Sequence, residues 1–383
     1  LSEKQWRICG DFRAVNDNLR KSFYNTPRPI DLLEKMKGNK VFSLIDISRA
    51  FNQLPLSEQS KKYTTISTSS GLYSFQYLPF GIHSASFYFQ RQIEILLSHL
   101  PFVTCYQDDI CISSTDREIH KLHLEEVLSI LASAGLVIAL QKCRFFQSQI
   151  TYLGYVFDGE TIRPSQKNID VILSWKRPKN VSTVRSILGC SNFYRHLIKN
   201  YADRTQHIRA LTKKNARFHW SDECEKEFID IQQSLTTSPC LTVFDPNLDL
   251  HLRVDSSLTQ VGAILAHKIG NKFYPISYFS HTLPDSVKKL HINEIEAYGL
   301  IRALTYFDKY LDSGKQFTVH SDNHCVCWLL SNRSTNSKLI RWSMILLNYD
   351  CKLQYTSAQC LQDADCLSRS SFQPQKAIQV NFT

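Results

Sequence analysis

The four residues Tyr106-Gln107-Asp108-Asp109 constrain this chain more than any others. They lie between two apolar runs, Phe102-Val103-Thr104-Cys105 and Ile110-Cys111-Ile112, a pattern that predicts a β-hairpin with two adjacent carboxylates at its tip. Like charges side by side at a turn repel each other, so fold stability gives little reason for the pair. A divalent cation reverses that logic by neutralising it. Asp-Asp at a turn is also ordinary surface chemistry, and taken alone it would be read that way. A third carboxylate shifts the balance, because Asp46 ends another strand-like run, Val41-Phe42-Ser43-Leu44-Ile45.

At 383 residues the chain can hold two or three domains, each with its own core. Its 43% hydrophobic and 21% charged content is that of a globular protein rather than a disordered one. No apolar stretch is long enough to span a bilayer, and no signal-peptide pattern opens the chain. The net charge of +10 favours a polyanionic partner, although a generically basic surface would look the same. Twelve cysteines are scattered without a Cys-x-x-Cys pair, and Cys325-Val326-Cys327 lacks the usual zinc spacing. They read as reduced thiols in a cytosolic setting. The absence of an initiating methionine at Leu1 reads as a segment of a longer polyprotein.

Along the chain, residues 6–155 mix short β-rich runs with amphipathic helices over 30–36, 84–100 and 119–134, the last stopping at Gly135. Leu122, Val127, Leu128 and Leu131 are expected to form the apolar stripe of that third helix, while His120 and His123 read as surface positions where no metal is expected. Strands and helices without strict alternation suggest an α+β layer with an antiparallel sheet. Residues 163–217 are helical in pattern and rich in Lys and Arg, with few acids. A solvated surface is the bland account, and a phosphate track is the sharper one. Trp220-Ser221-Asp222-Glu223 reads as an N-capped helix start. A third region opens near Asp249, with strands expected over 250–254, 262–266 and 274–280, a helix over 291–311 and a strand over 316–320. The stretch 371–383 has no periodicity and reads as a linker.

Metal-assisted nucleotidyl transfer needs carboxylates that bridge two divalent ions roughly 3.5–4 Å apart. Asp46 and the Asp108/Asp109 pair fit such a cradle, and here a family resemblance becomes specific. Trp6-Arg7-Ile8-Cys9-Gly10-Asp11-Phe12-Arg13-Ala14-Val15-Asn16 resembles the fingers signature of gypsy-type LTR retrotransposon and, more distantly, retroviral reverse transcriptases. Phe42-Ser43-Leu44-Ile45-Asp46-Ile47-Ser48-Arg49-Ala50-Phe51-Asn52-Gln53 resembles the first catalytic motif. Leu78-Pro79-Phe80-Gly81-Ile82 with Phe89-Gln90 resembles the template and nucleotide-binding motif. The Tyr-x-Asp-Asp box follows, then Ala134-Gly135-Leu136 with Lys142-Cys143-Arg144-Phe145, and then Tyr152-Leu153-Gly154-Tyr155.

The resemblance implies that Asp46 and Asp108 are the main metal ligands, with Asp109 completing the site. Phe51 falls where an aromatic ring excludes a ribose 2′-hydroxyl, and Arg7 where a guanidinium fork meets the triphosphate. Phe80 and Gly81 belong to the nucleotide-binding motif, and Lys142 to the charge near the phosphates. Tyr152, Leu153 and Gly154 form the primer grip. Phe80 replaces the glutamine common in retroviral enzymes, and Arg49 replaces a usual Gly or Asp.

The C-terminal region carries four separated acids. Asp255 and Asp322 are expected to end strands, Glu296 to lie on the helix, and Asp365 to open a last helix. Singly, each reads as a cap or a surface acid. Together they resemble the ribonuclease H domain of the same elements, in Val254-Asp255-Ser256-Ser257, Glu294-Ile295-Glu296-Ala297, His320-Ser321-Asp322-Asn323 and Ala364-Asp365-Cys366-Leu367-Ser368-Arg369. Glu296 is preferred over Glu294 from the apolar residues that follow. Ala358-Gln359-Cys360-Leu361 departs from the family pattern, and Tyr355 stands where retroviral enzymes have a histidine, which points to slower cleavage.

The resemblance runs from Trp6 to Arg369. It implies a right-hand polymerase of α+β type, followed by an α/β ribonuclease H-like domain. The expected boundaries are 1–160 for an N-terminally incomplete fingers plus palm, 161–240 for a basic helical thumb or connection, 241–370 for the ribonuclease H-like domain and 371–383 for a linker. The implied activity is RNA-directed DNA synthesis with cleavage of RNA in RNA–DNA hybrids. Two Mg²⁺ ions per site are implied, with Mn²⁺ as an alternative. Implied partners are RNA template, DNA, hybrid, primer and deoxynucleoside triphosphates, no membrane, and a second copy of the chain as a dimer. Protease and integrase would lie outside the segment, and a cytoplasmic virus-like particle is the expected location. The competing reading is a catalytically impaired nucleic-acid-binding relic.

Overall fold

In this computed structural model, which describes residues 10–19, 27–236, 241–312, 314–323 and 337–356, two short helices precede the first strand. These are α1 (Arg13–Asn18) and α2 (Pro29–Lys35), and they lead to β1 (Val41–Asp46). The chain divides into two compact units between Glu160 and Thr161. After β1 the first unit continues with α3 (Glu58–Lys61), the hairpin β2 (Thr65–Thr68) and β3 (Gly71–Ser74), α4 (Ala85–Leu97), β4 (Val103–Tyr106) and β5 (Asp109–Ser114). It then runs through α5 (Arg117–Ser133), β6 (Arg144–Gln147), β7 (Ile150–Tyr152) and β8 (Tyr155–Phe157).

Strands β4-β5-β1-β6 form an antiparallel sheet in that order. Side chains alternate across a sheet, so Ile45, Ile110 and Ile112 share one face. That face packs against Phe89, Ile93 and Leu97 of α4 and Val127 and Leu131 of α5. Asp46 and Asp109, opposite each other in the register, therefore share the other face. The strands read as near-continuous apolar runs because both faces are covered except at this end. Asp116 caps α5 by accepting from the Ile119 N–H at 2.9 Å. The helix ends in a Schellman turn: Gly135 at φ +72° donates to the Ala132 carbonyl, and Leu136 donates to that of Leu131.

The buried stripe of α5 is His120, Leu124, Val127 and Leu131, a spacing of three to four residues. This corrects the sequence expectation at two positions, since Leu122 is 64% exposed and His120 is fully buried. A histidine can take a core position because both ring nitrogens find hydroxyls. Nε2 meets Ser43 Oγ at 2.7 Å and Nδ1 meets Ser114 Oγ at 2.8 Å. Burial holds its pKa down at about 4, so it sits there neutral.

The second unit begins with β9 (Thr161–Pro164) and the helices α6 (Gln166–Leu173), α7 (Val181–Phe193), α8 (Gln206–Ala210) and α9 (Asp222–Thr236). Then come β10 (Leu241–Thr242), β11 (Leu250–Ser256), β12 (Gln260–Ile269), β13 (Lys272–Thr282), α10 (Ile292–Leu311), β14 (Phe317–Ser321), α11 (Ser337–Leu346) and β15 (Cys351–Tyr355). A five-stranded mixed sheet has the order β13-β12-β11-β14-β15, antiparallel across β13-β12-β11 and parallel across β11-β14-β15. Leu252, Val261 and Leu265 on the sheet pack with Ile295, Leu304 and Phe307 of α10. The helical segment belongs to this unit too. Arg195 Nη2 donates to the Ser280 carbonyl at 2.9 Å, and the Ala202 N–H donates to Ser280 Oγ at 3.0 Å. The stretches 358–361 and 371–383 lie outside the described residues.

Candidate active sites

The first site is built at the open end of the β1/β5 pair. Asp46 stands opposite Asp109, and Tyr106 pairs with Asp109 so that Gln107 and Asp108 form a two-residue turn. Gln107 adopts φ +55°, the positive-φ geometry that a tight hairpin turn requires. A buried side chain stabilises this turn. Gln90 of α4 accepts from the Gln107 N–H at 2.5 Å and donates to the Cys105 carbonyl at 3.1 Å. Partial desolvation, then the Asp108 and Asp46 charges, raise the Asp109 carboxyl to about 6, against the pull of Lys142.

Lys142 is brought in by the chain that leaves α5. The Ser48 N–H donates to the Val137 carbonyl at 2.9 Å, and the Ala139 N–H to the Asp46 carbonyl at 2.8 Å. Gln53 binds both the N–H and the C=O of Val137. From there Lys142 Nζ reaches Asp46 Oδ1 at 3.3 Å. Phe51 packs edge-on to Phe80 with ring centres 5.4 Å apart and to Phe89 at 5.8 Å. Gly81, at φ +96°, lies in a loop held by Asn16, whose side chain donates to the Gly81 carbonyl and accepts from the His83 N–H, both at 2.8 Å.

The β7–β8 turn has Leu153 at φ +50° and Gly154 at φ +87°. Tyr152 and Tyr155 pair on either side of it. Tyr152 is 2% exposed, and its hydroxyl donates to the Asp109 carbonyl at 3.2 Å. It therefore braces the carboxylate strand from behind, and only Leu153 and Gly154 of this trio present accessible surface. Arg7 lies outside the described residues.

The second site gathers acids at the C-terminal ends of parallel strands. Asp255 is near the end of β11, Asp322 directly follows β14, and Glu296 projects from the first turns of α10. Each can offer a carboxylate oxygen within 4.8 Å of the others. Among the described residues this is the one group of three or more such side chains that meets so closely. Glu294 is occupied elsewhere: it accepts from the His291 N–H at 3.3 Å in a capping box. Gly299, one helical turn after Glu296, lets α10 approach the sheet. A Cβ there would lie 2.1 Å from Ser256 Oγ.

Desolvation first, then the Asp322 and Asp255 charges, raise Glu296 to about 7. Desolvation, then Asp322, also raise Asp255, while Lys199 lowers it. Three converging carboxyl groups are a donor set suited to hard divalent cations, all oxygen with neither nitrogen nor sulfur. Asp365 lies outside the described residues, and Tyr355 is 43% exposed at the end of β15.

A family model described as "Reverse transcriptase (RNA-dependent DNA polymerase)" matches residues 2–157, and one described as "RNase H-like domain found in reverse transcriptase" matches 220–319. The retrovirus-related Pol polyprotein from transposon 412 of Drosophila melanogaster is 32% identical over 382 residues, covering 99% of this chain and 31% of that one. The chain carries a reverse transcriptase domain followed by a ribonuclease H-like domain, and it is similar to retrotransposon Pol polyproteins.

The Tf2-3 transposon polyprotein of Schizosaccharomyces pombe is 30% identical over 369 residues, covering 95% of this chain and 28% of its own length. The chain thus spans under a third of the length of these curated relatives. In fold it is similar to a foamy viral protease-reverse transcriptase in complex with dsDNA. That likeness has a TM-score of 0.81 and 23% identity, over 92% of this chain and 75% of that one. The same viral protein in complex with RNA/DNA hybrid matches at a TM-score of 0.76 and 23% identity, over 94% of this chain and 49% of that one. Reverse transcriptase and ribonuclease H-like domains generally depend on divalent metals. Among the described residues, no helix is long and apolar enough to cross a membrane.

Proposed function

We propose that this chain is the DNA-synthesising and RNA-cleaving part of a retrotransposon Pol polyprotein. In this reading it extends a primer on RNA and DNA templates and degrades the RNA strand of the resulting hybrid. The observation that carries the reading is a carboxylate cluster on each of the two units: Asp46 facing Asp109 beside Asp108, and Asp255, Glu296 and Asp322 within reach of one another.

Asp46, Asp108 and Asp109 hold the metals of the first site, and Asp255, Glu296 and Asp322, joined by Asp365, those of the second. The ions, two Mg²⁺ per site with Mn²⁺ as a substitute, supply activation of the attacking oxygen and charge neutralisation at the phosphate. The chain's own groups do the rest. Phe51, wedged against Phe80 and Phe89, presents a rigid ring under the incoming sugar and excludes a 2′-hydroxyl by sterics. Lys142, already beside Asp46, offers positive charge near the triphosphate, as does Arg7. Gly81 allows backbone approach to the nucleotide, and Leu153 and Gly154 support the primer end. The basic helices of 163–217 hold the duplex through its backbone without reading sequence. The setting is a cytoplasmic virus-like particle.

The test uses the full chain with Mg²⁺ on poly(rA)/oligo(dT) and on a labelled RNA–DNA hybrid. Asp108→Asn should abolish extension and leave cleavage, while Glu296→Gln should do the reverse. Unchanged extension in the first variant would remove the polymerase assignment. Loss of both activities in the second would contradict a separate cleavage site. A relic that only binds nucleic acid would show neither activity before any substitution.

A further inference from the structure

The turn that carries Asp108 depends on an acid outside every motif quoted above. Tyr106 pairs with Asp109, so the Gln107 N–H lies inside the turn, beyond the last rung of the ladder. Gln107 is half-buried and sits at φ +55°, a conformation that strains any residue with a Cβ. Such a turn holds its shape only if its surroundings fix it, and its N–H needs an acceptor. Gln90, 1% exposed, supplies that acceptor through Oε1 at 2.5 Å.

An amide side chain has an acceptor end and a donor end of nearly equal size, so shape alone does not choose between them. Reversed, the Gln90 amide would set donor against donor at Gln107 and release the turn. Two acceptors at the nitrogen end prevent the reversal. Nε2 donates to the Cys105 carbonyl at 3.1 Å and to Glu94 Oε1 at 2.6 Å. Glu94 lies one turn further along α4, half-buried, and meets Gln90 at the i,i+4 spacing of neighbours on one helix face. A Gln–Glu pair at that spacing is ordinary on a helix surface and contributes little there. This one is different because its glutamine is buried and its other two bonds end on the backbone on either side of Tyr106. The bonds run in series from Glu94 through Gln90 to the residue beside Asp108, and each polarises the next.

We propose that Glu94 is a positioning residue for nucleotidyl transfer: by accepting from Gln90 it fixes the amide that holds the Gln107 N–H, and so sets where Asp108 stands. This rests on the polymerase reading of the first site. Glu94 acts through Gln90 and touches neither nucleotide nor metal.

The experiment follows pre-steady-state primer extension by the full chain on poly(rA)/oligo(dT) in Mg²⁺. It yields the maximal first-turnover rate, the nucleotide concentration for half that rate, and the burst amplitude, which counts active molecules. Hybrid cleavage on the same preparations serves as the comparison. Glu94→Ala removes the acceptor and should lower the rate roughly 10-fold, with the half-rate concentration, amplitude and cleavage unchanged. Glu94→Gln keeps an oxygen acceptor at the same reach and should stay within about twofold of the parent. Gln90→Glu sets two carboxylates against each other and should lower the rate roughly 100-fold. Adding Glu94→Gln to it should recover about 10-fold, because position 94 can then donate where it formerly accepted. An unchanged rate in Glu94→Ala, or an equal loss in Glu94→Gln, would overturn the proposal and leave the polymerase reading intact. A smaller burst at an unchanged rate would mark a structural prop and would also overturn it. Absence of Mg²⁺-dependent, Asp108-dependent extension in the parent chain would overturn both readings.

Discussion

Arg49 stands at φ +48°, immediately before the short 3₁₀ turn Ala50–Gln53 that carries Phe51. A side chain in the left-handed region costs about 1–2 kcal/mol, and Arg49 is exposed with no cap bond from its side chain. Arg49→Gly should therefore stabilise the chain by about 1 kcal/mol, less the larger unfolded-state entropy of glycine. A urea titration should show a higher midpoint at an unchanged slope. A lower midpoint would mean that the guanidinium makes a contact worth more than the strain. Arg49 was visible in the sequence as a departure from a usual Gly or Asp, but the reason was not, because φ is set by the strand before and the turn after. Gln107 and Leu153 are alike in this respect, being non-glycine residues with positive φ whose turns are imposed by pairing on both sides. In the sequence, Gln90 and Asn16 stand inside two of the motifs with nothing to mark what they bind. Their bonds to the Gln107 and His83 N–H groups join residues far apart in the chain, which local spacing does not encode.

Helix α10 shows how an element sets a site. Its Gly299 faces Ser256 so closely that any Cβ collides, and Glu296 lies one turn away on the same side. Gly299→Ala should push the helix outward and cost about 1–3 kcal/mol through overpacking. Hybrid cleavage should fall, with primer extension on the same preparation as the comparison. Cleavage at the parent rate would mean that Glu296 does not depend on this contact. Helix α5 makes stability depend on pH. His120 has a folded pKa of about 4 against an ordinary value of 6.5, because burial disfavours its charged form. The unfolded chain thus binds the extra proton first, and stability present above about 6.5 is lost as pH falls toward 4. Chemical denaturation across that window should show the slope, and His120→Gln should flatten it. Periodicity found this helix but gave the wrong inner residue. It ranks leucine above histidine, and two serines on β1 and β5 reverse that ranking only after the sheet has formed.

At the scale of the whole molecule, both carboxylate clusters work against folding until cations arrive. Asp109 is raised to about 6 and Glu296 to about 7, and Asp255 is raised as well. Without metal, the folded state holds protons that the unfolded state releases near the ordinary carboxylate range of about 4–4.5. Stability is then full below that range and is lost as pH rises through about 7. A divalent cation that binds only the folded state stabilises it by mass action, and it binds better as the protons leave. Thermal unfolding in chelator should therefore give a Tm that drops between pH 5 and pH 8, and millimolar Mg²⁺ should remove most of the drop. His120 acts in the opposite sense between about 4 and 6.5, so the comparison needs Glu296→Gln, which removes one raised carboxyl and leaves His120 in place. In that variant the chelated protein should lose less stability on going to pH 8 and should gain less from Mg²⁺. If Mg²⁺ shifts the parent and the variant by the same amount at both pH values, the cations bind elsewhere and the second cluster is not their seat.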